Sequence, residues 1–248
     1  MSLLTTINDL YEGLPQEEGA PPIRPFVGRD YGLSRPDALR VLVLGINCYY
    51  TGPESELTPD TDFPLWFRRR RYSFFARAFS EASVVGEALE QSAVFEGRRW
   101  SGIEGLYGTN LVRRYLPKAS GRYSKDVAER LLDEGAEHWG RELDLLHRHG
   151  VLPHAIVAFG WRIWPRAAAP LRARVGGWVK DYRPCQRSSD LYHHLNRVEI
   201  EEGGKTRPLL LMRLNHPASV GAGKRAGWLV EHEEFRDVLH GADGLGSV

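Results

Sequence analysis

The stretch Val41-Leu42-Val43-Leu44-Gly45-Ile46-Asn47-Cys48-Tyr49-Tyr50 (VLVLGINCYY) decides the fold class, because an unbroken apolar run changes character at a glycine. Four consecutive aliphatic side chains are typical of a strand buried on both faces, as in a parallel sheet covered by helices. After the glycine the chain presents an amide, a thiol and two phenols. Large aromatic rings beside a polar amide are costly to leave in water, so we expect these residues to line a pocket.

Three further apolar runs follow along the chain, GLYGTNLV at 105–112, AIVAF at 155–159 and LLLM at 209–212. The segments between them have helical patterns. The clearest extends from Ser124 to His149, with apolar side chains at three- and four-residue steps: Val127, Leu131, Trp139, Leu143 and Leu146. We also predict helices over Leu65–Phe79 and Ala226–His240. Residues 196–214 are predicted to form a hairpin whose turn is a Gly-Gly pair.

Alternation of strands and helices predicts an α/β fold, a three-layer α/β/α sandwich with a central, mainly parallel four-stranded sheet. Residues 1–39 are predicted to form a short helix followed by an irregular arm, since residues 13–38 are rich in Pro, Gly and charge. Residues 40–248 are predicted to form a single domain.

Composition excludes several classes of protein. The 248 residues contain 33 basic and 32 acidic side chains, a net charge of +1, which excludes a globally basic, histone-like protein. Two cysteines, Cys48 and Cys185, are too few for a disulfide framework or a four-thiolate cluster. No window approaches the ~18 apolar residues of a membrane span, and the N-terminus lacks the basic start of a signal peptide. We therefore expect a cytoplasmic protein without membrane association.

The residues that follow each apolar run are the candidates for a site, because ligands bind outside the carboxyl ends of parallel strands. Besides residues 45–50, these are Gly108-Thr109-Asn110, Gly160-Trp161-Arg162 and Asn215-His216-Pro217-Ala218-Ser219. They contribute amides, one histidine and aromatic rings, but neither a paired carboxylate nor a metal-ligand set. Each has an ordinary structural explanation when taken alone: a strand end, a turn, a cap or a loop histidine.

The chain resembles the uracil-DNA glycosylase superfamily in the order of four motifs, over about residues 40–235: Gly45-Ile46-Asn47, Thr109-Asn110-Leu111-Val112, Ala158-Phe159-Gly160 and Asn215-His216-Pro217. Asn47 in the first motif resembles the mismatch-specific branch, and the segment from Tyr107 to Val112 resembles the thermostable branch, which carries an iron–sulfur cluster. The cysteines of that branch are missing here, so we expect no cluster, no metal and no cofactor. Cys48 stands in place of a usual proline, and Ala218 in place of the serine of His-Pro-Ser.

The resemblance implies roles for individual residues. It implies that Asn47 positions the attacking water and that His216 donates a hydrogen bond to O2 of the departing base. Gly45 and Ile46 belong to the substrate-binding motif, and Tyr49 limits the space beside C5 of the base. Asn110 offers the donor and acceptor that read the edge of uracil or of cytosine.

Further expected contacts involve the base face and the DNA backbone. Phe74 or Phe75 is expected to stack on the base. Contacts to the DNA are expected from two basic pairs and from residues after the last motif: Arg113, Arg114, Ser219, Val220, Lys224 and Arg225. The partner expected is DNA, double- or single-stranded, carrying a lesion or a modified base, and no obligate protein partner is implied.

The predicted function is therefore a monofunctional DNA glycosylase acting on uracil or a modified pyrimidine, in DNA repair or in defence against modified phage DNA. No lysine lies in either catalytic motif, so a lyase step is not expected. One alternative is a catalytically silent nucleic-acid-binding protein on the same fold. A hydrolase of free nucleotides is a third reading, with less support because no acidic metal set is visible.

Overall fold

The computed structural model describes residues 3–14, 25–33, 35–49, 74–116, 125–184 and 194–214, together with the single positions 235 and 238. The helices in this part of the chain are α1 Leu3–Glu12, α2 Arg29–Gly32, α3 Phe74–Glu90, α4 Lys125–Arg148 and α5 Trp164–Arg172. The strands are β1 Phe26–Val27, β2 Val41–Tyr49, β3 Leu106–Leu116, β4 Ala155–Phe159, β5 Val179–Pro184, β6 His194–Glu202 and β7 Lys205–Leu214. No helix in these ranges is long and apolar enough to cross a bilayer.

Within the described residues, the sheet has seven strands in the order β1-β3-β2-β4-β7-β6-β5. The central strands β3, β2, β4 and β7 are parallel to one another, whereas β1, β6 and β5 add to the two edges in antiparallel fashion. The α/β prediction is confirmed, but the predicted count of four strands is wrong. Strands β1 and β5 were missed because short or half-exposed edge strands lack the long apolar run that marks a central strand. Strand β6 was predicted as the first strand of the hairpin but was not counted in the sheet.

Each of the four central strands overlaps one of the four apolar runs of the sequence, and all but β4 extend beyond their runs. The predicted hairpin is also confirmed: β6 and β7 pair along their whole length. The turn between them is Gly203-Gly204, with φ of 60° and 77°, values that glycine adopts without steric cost.

The two faces of the sheet are covered by different helices. Leu42 and Leu44 belong to the apolar cluster that includes residues of α1, α4 and α5. Val41 and Val43 belong to a second cluster, which includes residues of α3 and Phe235. Because successive side chains of a strand point to opposite faces, the central strands are buried on both sides.

Helix α4 agrees with the prediction to within one residue at each end. A Cβ added at Gly135 would collide with the carbonyl oxygen of Leu111, so this glycine lets the helix approach β3 closely. Helix α3 differs from the predicted Leu65–Phe79, since it begins at Phe74 among the described residues and continues to Glu90. Residues 65–73 lie outside the described ranges, as does the last predicted helix except for positions 235 and 238, both helical.

The described parts of residues 1–39 contribute to the main core. Leu3, Ile7 and Tyr11 of α1 are buried in the cluster that α4 also lines, and Phe26 pairs with Gly108 of β3. The predicted arm therefore includes a strand as well as the expected helix. The domain boundary at residue 40 stays a prediction.

Candidate active site at the carboxyl edge of the sheet

The order of the parallel strands creates a crevice between β2 and β4. The chain passes from β2 to β3 on one side of it, and then returns to β4 on the other side. The two crossovers contain α3 and α4, which cover opposite faces. In open α/β sheets, ligands bind at such a switch point, outside the carboxyl ends of the strands.

Both crossover helices direct their N-termini to this same edge. In α3, the ring of Phe79 lies against Gly108 of β3, and a Cβ added at Gly108 would be 2.9 Å from this ring. Further along the helix, Gly86 packs against Trp100, which precedes β3 in the chain. In α4, Gly135 packs on Leu111, and the later Glu142 lies beside Tyr107. The helices therefore run opposite to the strands, and the positive ends of their dipoles lie at the carboxyl edge.

The structure brings Asn110 and Gly45 together. The two residues are partners in the parallel β2–β3 register, and Asn110 is only 6% exposed. Alternation places its side chain on the α3 face, in the same row as Gly108. Since Gly45 has no side chain, the position beside this amide on β2 is occupied by backbone alone.

Two sequence interpretations at this edge are corrected. Gly45 does not end a strand, because β2 continues to Tyr49. Asn110 does not cap a turn, because β3 continues to Leu116. Both corrections have one physical reason: the parallel ladder between the strands persists beyond the polar residues, so that Asn47 pairs with Val112.

The ladder is irregular immediately after Asn47. Cys48 pairs with Tyr115, so Arg113 and Arg114 have no partner in the β2 register. Bulges of this type twist a strand and redirect its side chains, and they are common beside active sites. Arg113 and Arg114, which the sequence analysis predicts to contact DNA, therefore lie in the bulge. Their side chains are not among those described.

The side chains of several candidate site residues lie outside the described structure. The backbone of Ile46, Asn47 and Tyr49 lies in β2, and Phe74 and Phe75 form the start of α3, but their side chains are not described. A second set lies outside the described residues altogether: His216, Ser219, Val220, Lys224 and Arg225.

The backbone constrains where the last motif begins. Strand β7 ends at Leu214, two residues before His216. Strand β4 alone separates β7 from β2 in the sheet, and the registers place the end of β7 level with Gly45, so at a spacing of about 4.8 Å Gly45 and Leu214 are about 10 Å apart. The last motif therefore begins two strands away from Gly45, across the end of β4.

A buried polar cluster supports β3 from the α4 side, and the sequence interpretation missed it. The carboxylate of Glu142 accepts hydrogen bonds from the hydroxyls of Tyr107 and Tyr11, the latter at 3.2 Å. The Tyr11 hydroxyl also lies 2.6 Å from that of Thr109. Burial, followed by the charge of Glu142, raises the pKa of Tyr107 well above its usual value, so this hydroxyl stays a neutral donor.

One signal for the cluster was present in the sequence. Glu142 lies three residues after Trp139 and four before Leu146, which places an acid on the apolar stripe of α4. A fully buried carboxylate needs hydrogen-bond donors. Because Thr109 precedes Asn110, the cluster holds β3 in place directly beside the candidate site.

The rim of the crevice also contains a group without an assigned role. After β4, Gly160 adopts a φ of 108°, and its N–H donates to the Leu214 carbonyl at 2.8 Å. The next residue, Trp161, is 71% exposed. The guanidinium of Arg162 lies 5.8 Å from its ring centroid.

The described residues contain no group of three His, Cys, Asp or Glu side chains that could hold a metal ion. Comparison of the chain with protein-family models, curated proteins and solved structures finds no match.

Proposed function

We propose that this protein is a monofunctional DNA glycosylase, acting in the cytoplasm on uracil or a modified pyrimidine extruded from DNA. It would hydrolyse the N-glycosidic bond and leave an abasic site, in repair or in defence against modified phage DNA. One observation carries the proposal. The buried Asn110 on β3 lies beside Gly45 of β2, a strand that borders the switch point, two residues before Asn47 in the same ladder.

The three-layer arrangement of the uracil-DNA glycosylase superfamily is part of this proposal. It is supported by the four parallel strands at the centre of the sheet and by apolar clusters on both faces. The additional edge strands leave the carboxyl edge of the central strands unchanged.

The proposed chemistry depends on stabilising the leaving group. The departing pyrimidine spreads its negative charge onto O2, and a hydrogen bond from His216 would stabilise the transition state more than the ground state. The amide oxygen of Asn47 would orient the attacking water, but it cannot accept a proton at neutral pH. The positive N-terminal ends of α3 and α4 favour the negative charge that develops at this edge.

Binding requires a base outside the duplex, since stacking hides the anomeric carbon. Asn110 would read the edge of the extruded base, with Tyr49 limiting the space beside C5 and Phe74 or Phe75 stacking on the ring. Extrusion costs a few kcal/mol, and stacking on an aromatic residue returns about 1–3 kcal/mol per base.

Contacts to phosphates would come from the bulge at Arg113 and Arg114 and from Lys224 and Arg225. Such contacts are independent of base sequence and weaken as the salt concentration rises. Ser219 would grip the backbone near the extruded nucleotide, and Val220 would enter the space that the base leaves.

The test is excision of single lesions. Duplex and single-stranded oligonucleotides carrying uracil, mismatched thymine or a modified cytosine are incubated with the protein, and abasic sites are detected by alkaline cleavage. His216→Ala is expected to lower the rate roughly 10²–10³-fold, the usual effect of losing one charge-stabilising donor. His149→Ala is the matched control, because His149 follows the C-terminus of α4 at the opposite edge of the sheet.

Absence of abasic sites on every substrate, including phage DNA with modified cytosine, would reject the proposal. A silent nucleic-acid-binding protein is the second candidate, favoured by the presence of an amide at position 47, where a carboxylate could act as a general base. That protein would bind DNA without cleavage, and His216→Ala would change only the affinity.

A further inference from the structure

Trp161 is the most exposed large hydrophobic residue of the described structure, at 71%. Isolated exposed hydrophobic residues are ordinary on protein surfaces. This one is unusual in position, since it lies two residues after the end of β4, at the carboxyl edge where the proposed site opens.

The backbone fixes that position. Gly160 adopts a positive φ of 108°, which turns the chain sharply after Phe159. Its N–H donates to the carbonyl of Leu214 at 2.8 Å. The turn that carries Trp161 is therefore tied to the end of β7, the strand that leads directly to His216.

The ring is also supported from one side. The guanidinium of Arg162 lies 5.8 Å from the centroid of the Trp161 ring. Arg162 itself is held by the carboxylate of Glu129 on α4, which also binds Arg166 at 2.7 Å. An aromatic ring that is already oriented loses little conformational freedom on binding, so more of its contact energy is available as affinity.

The neighbouring charges indicate what the ring recognises. Arg162 and Arg166 are balanced by Glu129 and by Asp133, which lies 2.7 Å from Arg166. Hydrogen bonds from the two arginines lower the pKa of Glu129 below its usual value, so its charge persists. With both guanidinium groups paired, this surface offers a ring rather than free positive charge. It therefore suits a nucleobase better than a phosphate.

We infer that Trp161 stacks on a nucleobase of the substrate strand next to the extruded nucleotide. This inference rests on the proposed function and adds a substrate-binding residue to it. Stacking of this kind tolerates any base, because every base has a π face. A protein partner is a poorer fit, since a stable interface buries about 800 Å² on each side and the described residues next to this ring form ion pairs.

The experiment measures binding of a single-stranded oligonucleotide that contains a tetrahydrofuran abasic analogue with 2-aminopurine beside it. Trp161→Ala is expected to raise the dissociation constant roughly 5- to 150-fold, the range for losing one stacked base. Stacking on the tryptophan should also quench 2-aminopurine fluorescence in the wild type, and this quenching should be lost in the variant. Trp161→Phe keeps an aromatic face and is expected to retain most of both signals.

Leu33→Ala is the matched control. Leu33 is also an exposed hydrophobic residue, at 60%, but it follows α2, which packs against residues 102–105 ahead of β3, at the opposite edge. Its removal is expected to leave binding and quenching unchanged.

The outcomes separate the two proposals. If the wild type excises bases and Trp161→Ala binds and quenches as the wild type does, the inference is overturned and the proposed function stands. If the wild type neither binds nor cleaves DNA, both fail. Loss of affinity in Trp161→Ala with its retention in Trp161→Phe and Leu33→Ala supports the inference.

Discussion

Removal of one hydroxyl from each of two neighbouring buried tyrosines should lower stability in one case and not in the other. Tyr107 and Tyr31 are both fully buried, and their ring centroids are 5.3 Å apart. The Tyr107 hydroxyl donates to the carboxylate of Glu142. The Tyr31 hydroxyl, in contrast, has no hydrogen-bond partner within the described structure.

The expected magnitudes follow from these environments. A buried hydrogen bond to a charged group contributes about 1.5–3 kcal/mol, so Tyr107→Phe should lower the free energy of unfolding by that amount. A buried hydroxyl without a partner carries a desolvation penalty of about 1–3 kcal/mol, so Tyr31→Phe should leave stability unchanged or raise it. Because both substitutions remove the same atom from a packed ring, lost van der Waals contacts largely cancel in the comparison.

The assay is equilibrium unfolding in urea, followed by far-UV circular dichroism, with thermal unfolding as a second measurement. For a chain of this length, about 1 kcal/mol corresponds to roughly 2–4 °C in Tm, so Tyr107→Phe should unfold roughly 3–12 °C below the wild type. Equal destabilisation by the two variants, or a greater loss in Tyr31→Phe, would refute the reasoning. It would mean that the Glu142 cluster does not stabilise β3.

Two other predictions concern pH and close packing. Burial, followed by the charges of neighbouring arginines, lowers the pKa of His154 well below its usual range. Below about pH 6.5 only the unfolded chain therefore binds this proton. As the pH falls further, the free energy of unfolding of the wild type should decrease by up to about 1.4 kcal/mol per pH unit. Urea titrations should show a shallower fall in His154→Gln, and parallel pH profiles would contradict this. Gly135→Ala should destabilise by about 1–3 kcal/mol through its clash with the Leu111 carbonyl. In the control, Gly140→Ala, the added Cβ meets a side-chain nitrogen of Arg174 at 3.3 Å rather than a backbone oxygen at 2.2 Å, so equal urea midpoints for the two variants would exclude the steric explanation.

The central part of the fold could be predicted because its signals are local. Each central strand is an apolar run in consecutive residues, and α4 carries a helical stripe that ends within one residue of its predicted limits. The hairpin turn was equally visible, since two consecutive glycines allow the positive φ that a tight turn requires. Edge strands such as Phe26–Val27 have no comparable pattern, because half of their surroundings are solvent or loops.

The candidate site was only partly predictable. The register that places Asn110 beside Gly45 joins residues far apart in the sequence, and no local pattern specifies it. The polar residues were expected to follow the strands, but the backbone ladder extends through them. The roles proposed for Asn47 and His216 remain predictions, since the side chain of Asn47 and all of His216 lie outside the described structure.

By itself, the sequence determined the α/β class, the four central strands, the long helix and the hairpin, because these features depend on neighbours along the chain. The tertiary structure decided the strand order, the bulge at Arg113 and Arg114, the buried carboxylate of Glu142 and the placement of Trp161 at the rim. Each of these depends on contacts between distant segments, such as the 98-residue separation between Tyr11 and Thr109. Such contacts form only when the whole chain packs, since the cost of closing long loops is repaid by burial in the shared core.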